Sequence, residues 1–468
     1  MSDTGLPEAM TAEDDTRLDE DDRLKPEFVR AVCEAVDRGD DEAARELVEP
    51  LHPADLADLF ELVPGEQRAA LAAAIAERLT GDVLAEMNDW VRDAVIEALT
   101  ATQVADLAAQ LDTDDAVAII EDLDDDEQRA VLRALDPDDR AAIEEALSYP
   151  EESAGRLMQR ELIAVPEHWT VGDAIDYLRG HEELTTDFWE IFVVDPAHKP
   201  IGTCQLSWML RTPRGIAMAD VMKREQTLIP VDMDQEEVAL RFQKYALISA
   251  AVVDHGGRLV GMITVDDIVH IISEEAGEDT LRLAGAGDGD INEPIRLTVR
   301  TRFTWLVVNL GTAMVASSVV GLFQGTIASF ALLAVLMPIV SGMGGNAGTQ
   351  TLAVVVRALA TNQLTSSNTA RMIGREFRIA AANGVMLGTL IGCGTYVIFH
   401  NQNLSIVIAA AMLTNNIVAG LSGVLVPVTL EKFRIDPAVS SAVFVTTMTD
   451  TMGFFSFLGL ASLWGLHG

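Results

Sequence analysis

The sequence predicts a multi-domain chain of 468 residues: an all-α superhelical N-terminal array, an α/β tandem pair, and a polytopic α-helical membrane domain of five spans. Three observations predict this. The hydrophobic period changes twice, from helical three-and-four spacing to short extended runs near Leu157, and then to long apolar stretches beyond Arg302. The charge changes with it: residues 300–468 hold 8 Lys and Arg against 4 Asp and Glu, a net of +4, which leaves 25 against 69, or −44, for the rest of a chain whose total is −40. Finally, each soluble part repeats its own pattern of blocks.

Residues 1–26 are rich in Asp, Glu, Thr and Gly and poor in large apolar side chains, so they are expected to form a disordered acidic tail. From Glu27 to Pro150 apolar residues recur at helical spacing between Pro, Gly and Asp turns, and a helical domain over 27–156 follows. DLADLFELVPGEQRAALAAA from Asp55 and AVAIIEDLDDDEQRAVLRAL from Ala116 place EQR alike, which predicts stacked helix pairs.

Residues 157–219 and 220–280 each read as helix, strand, turn, strand. The blocks TVGDAIDYL and FVVDPAHKPIGTCQL are followed by DQEEVALRF and AVVDHGGRLVGMITVDDI, the last opening a further helix near Asp266. These units resemble a tandem pair of CBS domains, regulatory modules that often bind adenine nucleotides. Thr264 and Asp267 match the Thr-x-x-Asp pattern with which such modules hold a ribose, whereas Gln205 to Trp208 stand there in the first unit. A helix N-cap at Thr264 or Asp266 is the plainer explanation of the same residues.

Only Cys33, Cys204 and Cys393 are present, scattered and odd in number, so neither a disulfide framework nor a thiolate metal site is expected. No basic, apolar, cleavable leader opens the chain. An acidic excess of this size repels nucleic acid and anionic membrane surfaces and favours cations as partners. A solvated surface or a salt-adapted host accounts for the bulk of it equally well.

Five apolar stretches, at 303–323, 326–356, 379–399, 404–430 and 438–465, are long enough to cross the hydrocarbon layer, for which about 20 residues suffice. Basic residues gather at Arg300 and Arg302, at Arg357 through Arg378, and at Lys432 and Arg434. By the positive-inside bias the N-terminus is expected in the cytosol and the C-terminus outside the plasma membrane.

Within those stretches Asp450, in VTTMTDTMGFF, is the sole charged side chain. Inserting a carboxylate there costs at least about 2.5 kcal/mol unless it meets water, a partner or a cation. It is either protonated between helices or faces a hydrated path. Dimerisation about a two-fold axis would set two such acids across one lumen, suited to a divalent cation held through its water. In the second stretch PIVSGMGGNAGTQ, Pro338 to Gln350, is expected to interrupt the helix and free carbonyls toward a lumen. Gly344 and Gly348, four apart, equally suit close helix packing.

PIVSGMGGNAGTQ, the Asp436-Pro437 step and TTMTDTMG resemble the MgtE magnesium transporters, as does the order of helical array, CBS pair and five spans. The resemblance covers nearly everything from Glu27 onward. It implies a homodimer in the membrane lipid with Asp450 as selectivity acid and Asn346, Gly344, Gly345 and Gln350 along the pore. Asp436 would stand at the cytosolic mouth, and a plug helix would occupy Glu293 to Arg302 within a 281–302 linker.

The resemblance also implies Mg2+ as substrate and as regulator, shutting entry when it binds between the helical array and the CBS pair. Asp234, Glu236, Asp267, Glu275, Glu278 and Asp279 match sensor acids, while Ala246 and His270 stand where acids are expected. DLDDDE, Asp122 to Glu127, reads as a solvated turn. ATP or another adenine nucleotide is the expected ligand of the CBS pair. An ion-coupled transporter and a membrane-anchored sensor are the alternatives. An enzyme is not expected, because no nucleophile and base pair, phosphate loop or transition-metal cluster is legible.

Overall fold

A computed structural model describes residues 17–21, 23–180, 188–286, 289, 291–438 and 441–464. Two compact units divide the chain, Met1–Ile272 and Ser273–Gly468.

The expected acidic tail lies outside the described residues as far as position 16. Beyond it the chain is ordered earlier than its composition suggests: Leu18 and Leu24 pair as an antiparallel bridge, and Leu24 is buried in the helical core. Leu18 packs against the same core, and the Asp21 and Arg23 amides donate to Asp19 Oδ1, which closes the turn.

Ten short helices follow: α1 (Pro26–Asp37), α2 (Asp41–Val48), α3 (Pro53–Leu62), α4 (Gly65–Ala74), α5 (Gly81–Ala85), α6 (Asp89–Ile96), α7 (Ala101–Ala108), α8 (Thr113–Glu121), α9 (Asp125–Ala134) and α10 (Pro137–Ala146). The repeated sequence blocks become the pairs α3 with α4 and α8 with α9. Each helix is too short to persist alone, so its stability comes from burying an apolar stripe against its neighbours. Phe60, Leu71, Ile75, Leu84 and Ile120 are fully buried in that shared core.

The next part comprises β1 (Ala164–Pro166), α11 (Val171–Gly180), β2 (Glu190–Val194), β3 (Pro200–Gln205), α12 (Leu206–Met209) and α13 (Met218–Val221). It repeats as β4 (Leu228–Pro230), α14 (Gln235–Tyr245), β5 (Ser249–Val253), β6 (Leu259–Thr264) and α15 (Val265–Ala284). Both sheets run in strand order, the first pair parallel and the second antiparallel, and both shift register at the same step, Val193/Val194 and Val252/Val253.

Each half is completed by the segment leading into the other. Gln159 bridges Met262 on β6, and Lys223 bridges Thr203 on β3. Glycine makes both crossings possible: a Cβ on Gly261 would sit 2.8 Å from the Gln159 carbonyl oxygen, and one on Gly202 2.9 Å from that of Lys223. A two-fold pseudosymmetric α/β pair results.

In the second unit five helices are long and apolar enough to cross a membrane: α16 (Ile295–Leu322), α18 (Leu332–Ala360), α19 (Thr369–Phe399), α20 (Gln402–Lys432) and α21 (Ser441–Leu463). The short α17 (Gln324–Ser329) lies between the first two. Three differences from the sequence reading have simple causes.

The plug-helix segment is not separate, because no Gly or Pro interrupts 295–310 and α16 runs through it, capped at Pro294 rather than Asn292. The glycine-rich motif does not break α18, since Pro338 removes one backbone donor and the glycines keep theirs. Helix α19 begins ten residues before position 379, its arginines reaching outward while its apolar face stays packed. Glu376 therefore lies within a membrane-crossing helix.

Candidate ion path and sensor site

In the helical bundle the small residues of α18 decide what can approach it. Gly348 packs against Val445 of α21, where an added Cβ would also meet Thr449 at 3.5 Å. Gly344 accommodates Asn415 of α20, whose Nδ2 donates to the Val340 carbonyl at 2.8 Å and whose side chain also fills the space left by Gly453 of α21. Asn415 is 1% exposed. One buried amide thus ties three helices through two glycines. Sequence reading missed it, because one Asn in an apolar run looks like a stray polar residue until its partners are known.

Gly344 accordingly faces packed side chain rather than open space. Gly345 has nothing within 4 Å of a built Cβ, and Asn346, Thr349 and Gln350 are exposed along the next face of α18. Gln350 also borders a small cavity with Thr351, Glu376, Asn383 and Asn416.

Asp450 is half-buried on α21 and accepts a short hydrogen bond from Ser341 of α18. Ser341 belongs to the glycine-rich motif, so the two family-like motifs meet at this pair. Glu376 is a second buried acid, 6% exposed, accepting from Thr351 Oγ1 at 3.3 Å. The argument that Asp450 stands alone among acids in the spans is corrected by it.

Asp436 accepts from Arg282 at 2.8 Å and from the Ala438 amide at 2.7 Å. Arg282 also pairs with Glu278 one turn back on α15. Burial raises the Asp279 carboxyl above its ordinary range, and Asp436 and Glu275 add to that. Three of the expected sensor acids on α15 therefore share a charged cluster with Asp436 and Arg282.

In the first unit the other expected acids separate. Asp234 accepts from the Glu236 amide at 3.0 Å as the N-cap of α14. Asp267 instead meets Asp114 of α8, and the acid group at that contact also includes Asp112, Asp115 and Glu86. Asp114 is 8% exposed and its Oδ1 has no partner. Burial, then Asp267, Asp115 and Asp112, drive its carboxyl well above the usual range. Burial pushes Asp115 up to about 6, with Asp267, Asp112, Glu86 and Asp82 contributing. Asp267 is raised by burial against the opposing hydrogen bonds from Thr264 and Asp114.

Two buried carboxyl groups in contact, each raised by burial, are stabilised in their charged form by a positive charge placed between them, and Asp114 Oδ1 carries no hydrogen bond. These residues fit Mg2+ as a regulator, although among the described residues no group of three or more His, Cys, Asp or Glu stands ready to hold an ion together. Asp112, Asp114 and Asp115 escaped the sequence reading because acids in a first helical turn look like ordinary dipole partners. DLDDDE is largely the exposed first turn of α9, except that Asp122 pairs with Arg92 at 2.5 Å.

Thr264 Oγ1 donates to Asp267 at 2.6 Å, which matches the capping pair Thr170 and Asp173 at 2.7 Å in the first half. Neither Thr264 nor Asp267 lines the large cavity of the α/β pair. That cavity, of about 810 Å³, lies between the two halves and is bordered by Trp189, Glu190, Gln205 and Trp208 of the first, by Tyr245 and Ser249 of the second, and by Lys223 of the segment that joins them.

Comparison with known proteins adds to this geometry. The profile described as divalent cation transporter matches residues 337–460, the MgtE intracellular N domain residues 51–152, and a CBS domain residues 218–274. The magnesium transporter MgtE of Thermus thermophilus is 30% identical over 447 residues, 94% of this chain and 99% of its own length. This chain belongs to the MgtE family.

The MgtE of Bacillus subtilis is 29% identical over 419 residues, 89% of this chain and 93% of its own. A crystal structure of the cytosolic domain of the Mg2+ channel MgtE in complex with ATP is 29% identical, with a TM-score of 0.47, covering 52% of this chain and 99% of its own. MgtE architecture thus accounts for the helical array, the pseudosymmetric α/β pair and the five-helix bundle together.

Proposed function

We propose that the chain is a homodimeric Mg2+ channel of the plasma membrane that admits magnesium down its electrochemical gradient and is shut by cytosolic Mg2+. One observation carries this reading. Helix α18 exposes Asn346, Thr349 and Gln350 beside the face that holds Ser341 against the half-buried Asp450. Thr349 donates within its own helix, but lipid cannot satisfy the Asn346 and Gln350 amides or the Asp450 carboxyl, and a hydrated path along a two-fold axis can.

Such a path passes hydrated Mg2+ because Asp450 and the amides offer oxygen donors to its water shell. Asp436 would stand at the cytosolic mouth, held by Arg282. The N-terminus is then cytosolic and the C-terminus outside, in line with the basic residues at one set of helix ends.

For regulation, Mg2+ would bind at Asp114, Asp115 and Asp267, supply the positive charge that lets them ionise together, and select the closed arrangement by binding it better. Glu275, Glu278 and Asp279 would contribute through their cluster with Asp436 and Arg282, and Asp234 and Glu236 from the N-terminus of α14. The cavity at Trp189, Trp208 and Tyr245 has the aromatic walls and the lysine to take an adenine nucleotide such as ATP.

The test is current through purified protein in patches while cytosolic Mg2+ is varied. Wild type should be inhibited, and Asp267→Ala should lose that inhibition. Unchanged inhibition removes Asp267 from the sensor.

Glu376 favours a second reading, a proton- or sodium-coupled transporter, since it supplies a buried acid apart from Asp450. A proton or sodium gradient that alters Mg2+ uptake would support coupling, and indifference to both supports the channel.

A further inference from the structure

The strongest unassigned cation cluster lies where α18 ends and α19 begins. Arg357 in the last turn of α18, with Arg371 and Arg375 in the first two turns of α19, borders a single cavity of about 460 Å³. Among the described residues none of the three forms an ion pair, and all three are exposed.

The wall between them is apolar, formed in part by Val354, Leu364 and Met372. The loop that shapes it is pinned: Leu364 is buried with its amide on the Ala358 carbonyl at 2.7 Å, and Asn368 holds the Gln363 carbonyl at 2.8 Å and the Thr365 amide at 2.9 Å. Three guanidinium groups converging beside an apolar wall match a phosphate ester that carries hydrocarbon. Both helices are long enough to cross a membrane, so the cavity lies where hydrocarbon gives way to water.

We propose that Arg357, Arg371 and Arg375 form a binding site for the phosphate of an anionic membrane phospholipid, with its glycerol and upper acyl carbons against Val354, Leu364 and Met372. The guanidinium fork is suited to phosphate oxygens. The overall acidity of the chain does not oppose this, since the repelling charge belongs to residues before 300 and the remainder is net positive. A bound lipid would brace the end of α18, the helix that carries Ser341. The inference rests on the membrane reading of these helices but not on magnesium permeation.

The test uses the full chain extracted from vesicles of equal parts phosphatidylcholine and phosphatidylglycerol, with retained lipid read by native mass spectrometry. Wild type should retain phosphatidylglycerol over phosphatidylcholine. The triple variant R357Q/R371Q/R375Q should lose about a hundredfold in apparent affinity, from the loss of three charge-assisted guanidinium hydrogen bonds to phosphate. The charge-matched control R378Q/K432Q/R434Q, whose residues do not border the cavity, removes the same surface charge without those bonds and should lose about tenfold less.

Equal loss in both triples would show diffuse attraction and overturn the site, as would equal retention of the two lipids by wild type. Inorganic phosphate at about 10 mM should not displace the lipid from wild type. Displacement would reassign the cavity to a soluble phosphate. If the glutamine triple fails to fold, R357K/R371K/R375K keeps the charge and loses the fork, and should still weaken binding about tenfold; unchanged binding in it, together with phosphate displacement, would also overturn the proposal.

Discussion

Replacing Gly344 by alanine puts a methyl group where Asn415 already stands. The new Cβ would lie 2.8 Å from Asn415 Cγ and 3.1 Å from its Oδ1, closer still to Nδ2, and the far side of the amide is bounded by Gly453, where the corresponding distances are 3.1 Å and 3.2 Å. Asn415 is buried, so it can yield only by releasing the Val340 carbonyl. Leaving that buried amide unsatisfied costs about 1–3 kcal/mol. Residual overpacking costs about 1–3 kcal/mol more.

G344A should therefore lose about 2–6 kcal/mol in unfolding by sodium dodecyl sulfate from mixed micelles, followed by tryptophan fluorescence. The control is G394A, on α19 with nothing within 4 Å of its Cβ, which should gain about 0.5–1 kcal/mol from helix propensity alone. If G344A is as stable as wild type, Asn415 does not hold the three helices as described.

Four further outcomes are expected. Burial, then Asp122, Asp89 and Glu97 against the opposing Arg92, raises Asp93 to about 6 from an ordinary 3.8, so the folded chain binds the extra proton between these values. The stability from that proton is present below pH 4 and lost as pH rises through 6. Melting from pH 4 to 7 should show about 1 kcal/mol of this loss after solvent screening, absent in Asp93→Asn. Arg282→Ala should raise amide exchange across residues 273–284 severalfold while changing overall stability by less than about 1 kcal/mol, as for a half-exposed ion pair. G261A and G202A should each destabilise the α/β pair by about 1–3 kcal/mol in thermal melts, and by similar amounts, because both crossings meet a backbone oxygen. Trp208→Ala should weaken binding of a fluorescent ATP analogue, whereas Thr264→Val should not, if the open cavity is the nucleotide site.

Much of the architecture is legible from periodicity. Stacked helix pairs, duplicated strand order and five long apolar runs are one-dimensional patterns, and each maps onto an element, although α16 and α19 begin eight and ten residues before their apolar runs. What stays hidden depends on three-dimensional partners. Nothing in LDTDDAV distinguishes Asp114 from its neighbours until α15 brings Asp267 against it. Glu376 hides among three arginines, whose charge makes the first turns of α19 look like a loop. Thr264 and Asp267 carry a nucleotide-like pattern yet cap a helix, because hydroxyl and carboxylate three apart serve both purposes. Ser341, the residue that holds Asp450, is masked by the glycines around it.

The measurement closest to the central claim is Mg2+ uptake by proteoliposomes holding purified full-length chain, comparing wild type with Asp450→Asn under an imposed inside-negative potential. Wild type should load Mg2+ in proportion to the potential, and the variant should lose most of that flux while keeping its melting temperature. Undiminished uptake through a folded Asp450→Asn protein would mean that the ion crosses elsewhere.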